Sequence, residues 1–197
     1  MKNTIVISAY PCCGKTYAYK HYADKYSIID SDSSLFSWTY DINNKIGKSR
    51  NLSFPNNYIE SIKNSIGNVD FILVSSHLEV RQALQDAGID YVTVYPEENL
   101  LAEWIGRMYL RGDTKSFIDK QIKMWKTNME NIKNEPYGKK LYRLCSNEYL
   151  DLDAMMEQLN ITCPTCGSHE YKELYTTYNI IHHYECKDCH KFFTITE

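Results

Sequence analysis

Short apolar runs alternate along the chain with longer stretches of helical periodicity. The apolar runs cover residues 4–9, 27–30, 70–75, 90–95 and 140–145, and the first of them is rich in β-branched residues. Apolar positions recur with helical spacing between them, in residues 15–26, 55–66 and 77–87. Strands that alternate with helices predict an α/β fold with a parallel sheet.

The remaining segments predict how the chain is divided. Residues 97–133 have a helical pattern broken at Gly112, which is typical of a two-helix insertion, and residues 31–54 show no regular pattern. A short acidic helix is predicted up to Leu159, ahead of the first of four clustered cysteines. We therefore predict one domain over residues 1–150, a linker helix over 151–160 and a small domain over 161–197.

The first strand leads into a phosphate-binding motif. The segment from Ala9 to Thr16 matches G-x-x-x-x-G-K-[ST] with alanine at the first position, and a strand before it and a helix after it are predicted. In such a loop the backbone N–H groups hold phosphate oxygens, Lys15 reaches the β and γ phosphates, and the Thr16 hydroxyl binds magnesium. The predicted nucleotide-binding residues are Pro11, Cys12, Cys13, Gly14, Lys15, Thr16 and Tyr17.

Two carboxylates, Asp30 and Asp32, follow the second predicted strand. Ligands bind at this end of a parallel sheet, and residues two apart point the same way. One carboxylate could bind magnesium while the other orients or deprotonates an acceptor hydroxyl. The alternative is a solvated Asp/Ser turn that caps a helix.

The third predicted strand ends without the aspartate of a Walker B motif, which leaves Asp30 or Asp32 as the better metal ligand. Ser75 and His77 are candidates for facing the acceptor, and Arg81 is a weaker candidate for holding an acceptor phosphate. A histidine at a helix start without chemical function is the alternative for His77.

The helical insertion carries two of the five arginines of the chain, Arg107 and Arg111. Their spacing of four places them on one helix face with Glu103. Guanidinium groups suit bidentate phosphate contacts, so the insertion is a candidate lid over the transferring phosphate. A solvated Glu–Arg face is the alternative.

Taken together, the phosphate loop, the Asp-Ser-Asp turn, the missing Walker B aspartate and the late arginines resemble the P-loop nucleoside and nucleotide kinases. Residues 55–84 are also similar to small nucleotide-kinase-like ATPases encoded by bacteriophages. The resemblance implies a five-stranded parallel sheet flanked by helices, a helical lid with catalytic arginines, and adenine near residues 146–149. It further implies Asp30 near magnesium and Asp32 on the acceptor hydroxyl, as in members of the shikimate-kinase type.

The last domain carries two Cys-x-x-Cys pairs separated by 19 residues. That spacing is typical of a structural zinc site with four thiolate ligands, here Cys163, Cys166, Cys186 and Cys189. The residues between the pairs favour a β-hairpin, so we predict a zinc ribbon. His182, His183 and His190 are nearby, but four cysteines already complete a tetrahedral shell.

Charge and hydropathy limit the partners. The net charge is −3, and residues 161–197 carry three lysines against five acidic residues, which argues against strong binding to a nucleic-acid backbone. No apolar run is long enough for a membrane span, and the N-terminal run is a strand rather than a signal peptide. We expect a cytoplasmic protein, in the host cytoplasm if it is phage-encoded.

The expected function is an ATP-dependent phosphotransferase with ATP, magnesium and zinc as cofactors and a nucleoside or nucleotide as acceptor. The residues expected to carry catalysis are Lys15, Asp30, Asp32, Arg107 and Arg111. Two alternatives stay open: a nucleotide-switched docking protein whose ribbon binds a protein or nucleic acid, and a kinase that acts on nucleic-acid ends.

Overall fold

The computed structural model describes six stretches of the chain: residues 3–40, 46–135, 140–159, 162–168, 171–177 and 181–196. The chain divides into two compact units, Met1–Leu150 and Asp151–Glu197. Among the described residues, no helix is both long enough and apolar enough to cross a membrane.

Five parallel strands form the central sheet of the first unit, which confirms the predicted fold class. The strands of this unit, in chain order, are β1 (Ile5–Ala9), β2 (Ile28–Asp30), β3 (Trp38–Tyr40), β4 (Ile46–Arg50), β5 (Phe71–Ser75), β6 (Tyr91–Pro96) and β7 (Lys140–Leu144). The sheet order is β2-β5-β1-β6-β7, whereas β3 and β4 form a separate antiparallel pair. The order reverses beside β1, so the loop after β1 lies where such sheets bind ligands.

Helices cover both faces of this sheet. They are α1 (Lys15–His21), α2 (Ser34–Ser37), α3 (Asn56–Ser65), α4 (Leu78–Asp86), α5 (Leu101–Arg111) and α6 (Lys115–Lys133). The predicted break at Gly112 is present: this residue has a φ of 86° after the last turn of α5, and the Thr114 hydroxyl accepts a hydrogen bond from the Phe117 N–H to cap α6. The two signals together separate the insertion into two helices.

The strands are buried because helices pack on the sheet from each side. β5 and β6 are almost continuously buried, as expected for central parallel strands. On one face, strand residues meet α3 and α4 in a cluster that contains Val6, Tyr58, Ile62, Ile72, Val74, Val80 and Leu84. Each such side chain contributes about 1.5–3 kcal/mol when it leaves water, which makes this packing the main source of stability.

The prediction that residues 31–54 have no regular structure was wrong. It forms α2 and the β3–β4 pair, with residues 41–45 outside the described part of the chain. Elements of three to five residues are too short to show periodicity in a sequence. The Arg50 guanidinium lies over the rings of Phe54 and Trp38, at 4.7 and 5.8 Å from their centroids, and so links the pair to the start of α3.

The second unit contains a helix and a three-stranded sheet. Its elements are α7 (Leu152–Leu159), β8 (Tyr171–Thr177), β9 (Ile181–Cys186) and β10 (Phe192–Thr196). The strands are antiparallel in the order β10-β9-β8, so the predicted hairpin has a third strand that the sequence interpretation missed. The rings of Tyr171, Tyr184 and Phe193 pack on one another with centroids 5.0–6.3 Å apart.

A buried ion pair joins α4 to the end of α6. The Arg81 side chain donates from Nε to Glu135 at 2.9 Å, and the two side chains are 3% and 4% exposed. Glu135 also accepts from Tyr91 Oη at 2.6 Å and from Gln85 Nε2 at 2.8 Å. A buried carboxylate with three donors is satisfied, but its removal leaves a buried guanidinium without a counter-charge.

We therefore expect Glu135→Gln to lower the free energy of unfolding by about 3 kcal/mol. Urea unfolding followed by tryptophan fluorescence measures it, since Trp38, Trp104 and Trp125 all lie in the first unit. The control is Glu130→Gln in the last turns of α6, a short distance before Glu135 in the chain, where the pair with Lys126 is long and exposed. Equal effects of the two substitutions would show that the buried pair has no special role.

Candidate functional site

The loop between β1 and α1 is held by backbone hydrogen bonds on both sides. Tyr10 N donates to Val94 O in β6 at 2.9 Å, and Leu150 N donates to Cys13 O at 2.8 Å. The Cys13 side chain is fully buried, and burial raises the pKa of its thiol to about 12. This thiol is therefore protonated and fills space in the loop.

Two positions of the loop explain its sequence. Gly14 has a φ of 98°, and a Cβ placed there would lie 3.1 Å from Tyr149 Cβ, so only glycine fits without displacement. Ala9 is the last residue of β1 and keeps ordinary strand pairing with Ser75 and Val94. The position where the motif usually has glycine thus needs no special backbone conformation here.

Lys15 is the central cation of the loop. Its Nζ donates to Ala9 O at 2.9 Å, and burial lowers the pKa of the amine. The amine is thus held against the backbone of the loop to which it belongs. A bound phosphate would oppose the effect of burial by stabilising the charged form.

The Asp-Ser-Asp turn places its two carboxylates differently. Asp30 Oδ2 accepts from Thr16 Oγ1 at 3.1 Å, whereas Asp32 Oδ1 accepts from Ser34 N at the start of α2 at 2.8 Å. Asp32 therefore lies in an Asp/Ser turn ahead of α2, like the alternative described above, although the N-cap residue itself is Ser33. The turn itself is fixed by Tyr58, whose hydroxyl donates to Ser31 O at 2.7 Å and which the sequence interpretation did not select.

The oxygens of Thr16 and Asp30 fit a magnesium ion. Adjacent ligands of an octahedral ion with bonds of about 2.0–2.1 Å lie about 2.9 Å apart. The observed 3.1 Å between these two oxygens is close to that separation. Both residues could thus hold one magnesium ion beside the phosphates.

The structure separates the two predicted arginines. The Arg107 guanidinium lies between the rings of Trp104 and Tyr149, 4.1 Å from each centroid, and donates to Glu103 at 2.5 and 3.0 Å. The predicted alternative of a pair with Glu103 is present, but the Arg107 side chain is only 7% exposed and that of Glu103 is 24% exposed, so the arginine is buried rather than solvated. Arg107 is therefore fixed beside the loop.

Arg111 is more accessible. Its side chain is 46% exposed, and its guanidinium donates from Nε and Nη2 to the Asp113 carboxylate, the closest contact being 2.6 Å. This pairing uses one edge of the guanidinium and leaves the Nη1 edge for another anion. Of the two, Arg111 is the better candidate for contact with a phosphate.

Aromatic side chains attach α5 and α6 to the loop, and the sequence interpretation missed them. Trp104 Nε1 donates to Pro11 O at 2.8 Å. Tyr10 Oη donates to Gln121 Oε1 at 2.9 Å and accepts from Asn128 Nδ2 at 3.2 Å. The sequence alone shows only the helical spacing of these residues, because their hydrogen-bond partners lie about 90 to 120 positions away in the chain.

Two cavities meet at Lys15. The first, of about 250 Å³, is lined by Lys15, Thr16, Tyr17, Arg107, Arg111 and Tyr149 among others, and we call it the loop cavity. The second, of about 240 Å³, lies between the loop, α4 and α6, and we call it the α4–α6 cavity. Its lining includes Lys15, Ser75, His77, Arg81, Lys120 and Asn128.

The α4–α6 cavity brings together the three weaker candidates Ser75, His77 and Arg81. Burial lowers the pKa of His77, so its imidazole is neutral at neutral pH. Asp30 and Asp32 line neither of the two cavities. The structure thus places Ser75, His77 and Arg81 in the wall of one cavity with Lys15, and neither aspartate belongs to that wall.

The four cysteines of the second unit form one cluster. Their sulfur atoms all lie within 4.8 Å of one another, with Cys163 and Cys189 3.7 Å apart and Cys166 and Cys186 3.6 Å apart. Tetrahedral zinc with Zn–S bonds of about 2.3 Å separates its sulfurs by about 3.8 Å. The donor set and its dimensions therefore fit zinc.

The two cysteine pairs have the same backbone geometry. Gly167 N donates to Cys163 O and His190 N donates to Cys186 O, at 2.8 and 3.0 Å, and both donor residues have positive φ. Gly167 and His190 thus occupy equivalent turn positions. His190 serves this turn through its backbone, while the cysteines supply the metal ligands.

Comparison with known proteins gives little beyond the geometry. No protein-family model matches the chain, and no curated protein matches it. Among solved structures, a gluconokinase from Sinorhizobium meliloti 1021 aligns at 17% identity over 79% of this chain and 87% of its own, with a TM-score of 0.42. A likeness at this level carries no argument about activity, so the assignment depends on the residues themselves.

The different surroundings of the arginines predict different effects of their removal. Arg107→Ala should lower the free energy of unfolding by about 2–3 kcal/mol, because two aromatic contacts and a largely buried ion pair are lost. Arg111→Ala should change stability little, since its pair is half-exposed. Urea unfolding measures both, and a larger loss for Arg111→Ala would contradict this assignment.

We expect the second unit to bind one zinc ion per chain and Cys163→Ser to reduce the zinc content strongly. Elemental analysis of the purified protein measures the metal. Cys145→Ser is the matched control, because Cys145 is an exposed cysteine outside the cluster. Equal zinc contents in the two variants would rule out the four-cysteine site.

Proposed function

We propose that this protein is an ATP-dependent phosphotransferase that acts on a small molecule, with a nucleoside or nucleotide as the acceptor. The observation that carries the proposal is that Lys15 lines both the loop cavity and the α4–α6 cavity. A cation shared by two adjoining cavities suits transfer of a phosphoryl group from one occupant to the other. A loop that only binds a nucleotide needs only one of these two cavities.

The loop cavity is the proposed donor site. The backbone of residues 11–14 and the Lys15 amine would hold the triphosphate, and the nucleotide base would lie towards Tyr17 and Tyr149, whose rings border this cavity. Thr16 and Asp30 would bind magnesium, which neutralises phosphate charge when bound. Arg111 would contact the transferring phosphoryl group through the edge that Asp113 leaves open.

The α4–α6 cavity is the proposed acceptor site. In the reaction, an acceptor oxygen forms a bond to the γ phosphorus while the bond from that phosphorus to the ADP oxygen breaks, and the hydroxyl proton passes to a base. Two groups compete for the role of base. Asp32 is the one that the sequence favours, and His77 lines the cavity as a neutral imidazole.

Lys15→Met tests the shared cation. We expect kcat/KM for ADP release to fall by about 10²–10³-fold or more, as when one preorganised donor to a transition state is lost. Coupled assays of ADP release across nucleosides, nucleotides and sugars give the measurement. Lys20→Met is the control, since Lys20 is exposed in the last turn of the same helix and lines neither cavity.

If no acceptor raises ADP release above the rate with water, the phosphotransferase proposal fails. ATP binding with slow hydrolysis would then favour the nucleotide-switched docking protein. Phosphorylation of oligonucleotide ends that weakens steeply with salt would favour the nucleic-acid kinase instead. Asp32→Asn and His77→Gln, compared by their pH profiles of kcat, would identify the base.

A further inference from the structure

The lining of the α4–α6 cavity is cationic. It includes Lys15, Arg81 and Lys120 together with His77, and none of its lining residues is an aspartate or a glutamate. Cavities lined by one sign of charge concentrate ligands of the opposite sign. A neutral polyol or nucleoside would instead be expected to meet carboxylates, which accept hydrogen bonds from hydroxyl groups.

These cations do not all have the same purpose. The Arg81 charge is compensated by the buried carboxylate of Glu135, and Lys15 also lines the loop cavity, the proposed donor site. Lys120 lies in α6, lines only the α4–α6 cavity of the two, and makes no ion pair within the described part of the chain. Its charge is therefore available to an occupant of this cavity and is not directed at the nucleotide.

The other groups of the wall suit an anion as well. α4 begins at Leu78 without a side-chain cap, and Ser76, His77 and Leu78 line the cavity, so the positive end of this nine-residue helix opens beside Lys120 and Lys15. The Ser75 hydroxyl oxygen is buried in the same wall and has no hydrogen-bond partner among the described residues.

Burial is the main cause that lowers the pKa of His77; among the charges, the Glu79 carboxylate raises this pKa, and Lys120, Arg50 and Lys15 each lower it. Glu79 and Arg50 pair with each other and neither lines the cavity, so the uncompensated charges near His77 are those of Lys120 and Lys15. An anion in the cavity would therefore meet an excess of positive charge on this side. A neutral occupant would leave this positive charge uncompensated.

We infer that the acceptor bears an anionic group, a phosphate or a carboxylate, which binds between Lys120 and the start of α4 while its reacting hydroxyl points to Lys15. The inference rests on the proposed function for the direction of the hydroxyl. The anion subsite itself is independent of catalysis. It distinguishes nucleotides and sugar acids, as acceptors, from nucleosides and polyols.

Matched pairs of probes test this subsite. Titration calorimetry on the protein loaded with magnesium and a non-hydrolysable ATP analogue would compare thymidylate with thymidine, AMP with adenosine, and gluconate with glucitol. We expect at least one anionic member to bind about tenfold or more tightly than its neutral partner, as a charge-assisted contact provides. The pair that shows the difference tells phosphate from carboxylate.

Lys120→Met should weaken binding of that anion about tenfold and raise its KM with little change in kcat, while Lys120→Arg should retain affinity. Lys123→Met is the control, because Lys123 is exposed on the same helix and lines neither cavity. Affinity for the neutral partner and for the ATP analogue should not change in any of the three variants.

The two proposals fail in different ways. If an anion binds in a Lys120-dependent way but no phosphoryl transfer is found, the anion subsite is supported and the phosphotransferase proposal fails. If a neutral acceptor is phosphorylated with a kcat/KM equal to or above that of its anionic partner, the phosphotransferase proposal is supported and the inference of an anionic acceptor is wrong. Absence of binding by every anion, or equal losses in Lys120→Met and Lys123→Met, would also overturn it.

Discussion

The fixed position of the phosphate loop is the constraint on which the rest of the first unit depends. Strand β6 holds the loop through Tyr10 N, the chain after β7 holds it through Leu150 N, and α5 holds it through the Trp104 indole. A loop that must present several N–H groups to one phosphate gains affinity when its backbone is already ordered, because the entropy of ordering is lost at folding rather than at binding. The sheet and the insertion together provide that order.

This attachment also explains the unequal roles of the insertion. The side of α5 that packs on the loop carries Trp104 and Arg107, and both are buried. The end of the helix, where Arg111 meets Asp113, extends to more exposed surroundings. The same helix therefore contributes a rigid wall at one end and an accessible guanidinium at the other, which is suited to a site that must be shaped in advance yet admit a charged ligand.

The second unit depends on a different constraint. It has only one helix, three strands and a small ring cluster, so burial alone gives such a unit little stability. Four thiolates that share one ion would add the missing free energy, since binding of a structural zinc is coupled to folding. The paired turns at Gly167 and His190 allow the two Cys-x-x-Cys segments to approach one ion in the same manner.

The sequence alone determined the features that local chemistry defines. The phosphate-loop motif, the break at Gly112, the alternation of the central-sheet strands with helices and the four-cysteine cluster each depend on residues close together in the chain or on a fixed spacing. Only the tertiary structure decided that Asp30 meets Thr16, that Arg107 is enclosed by two rings, and that Lys120 shares a cavity with Lys15. The physical reason is that burial and charge partners are set by contacts between distant segments. A lysine or an arginine in a sequence has its charge, but its neighbours exist only once the chain has folded.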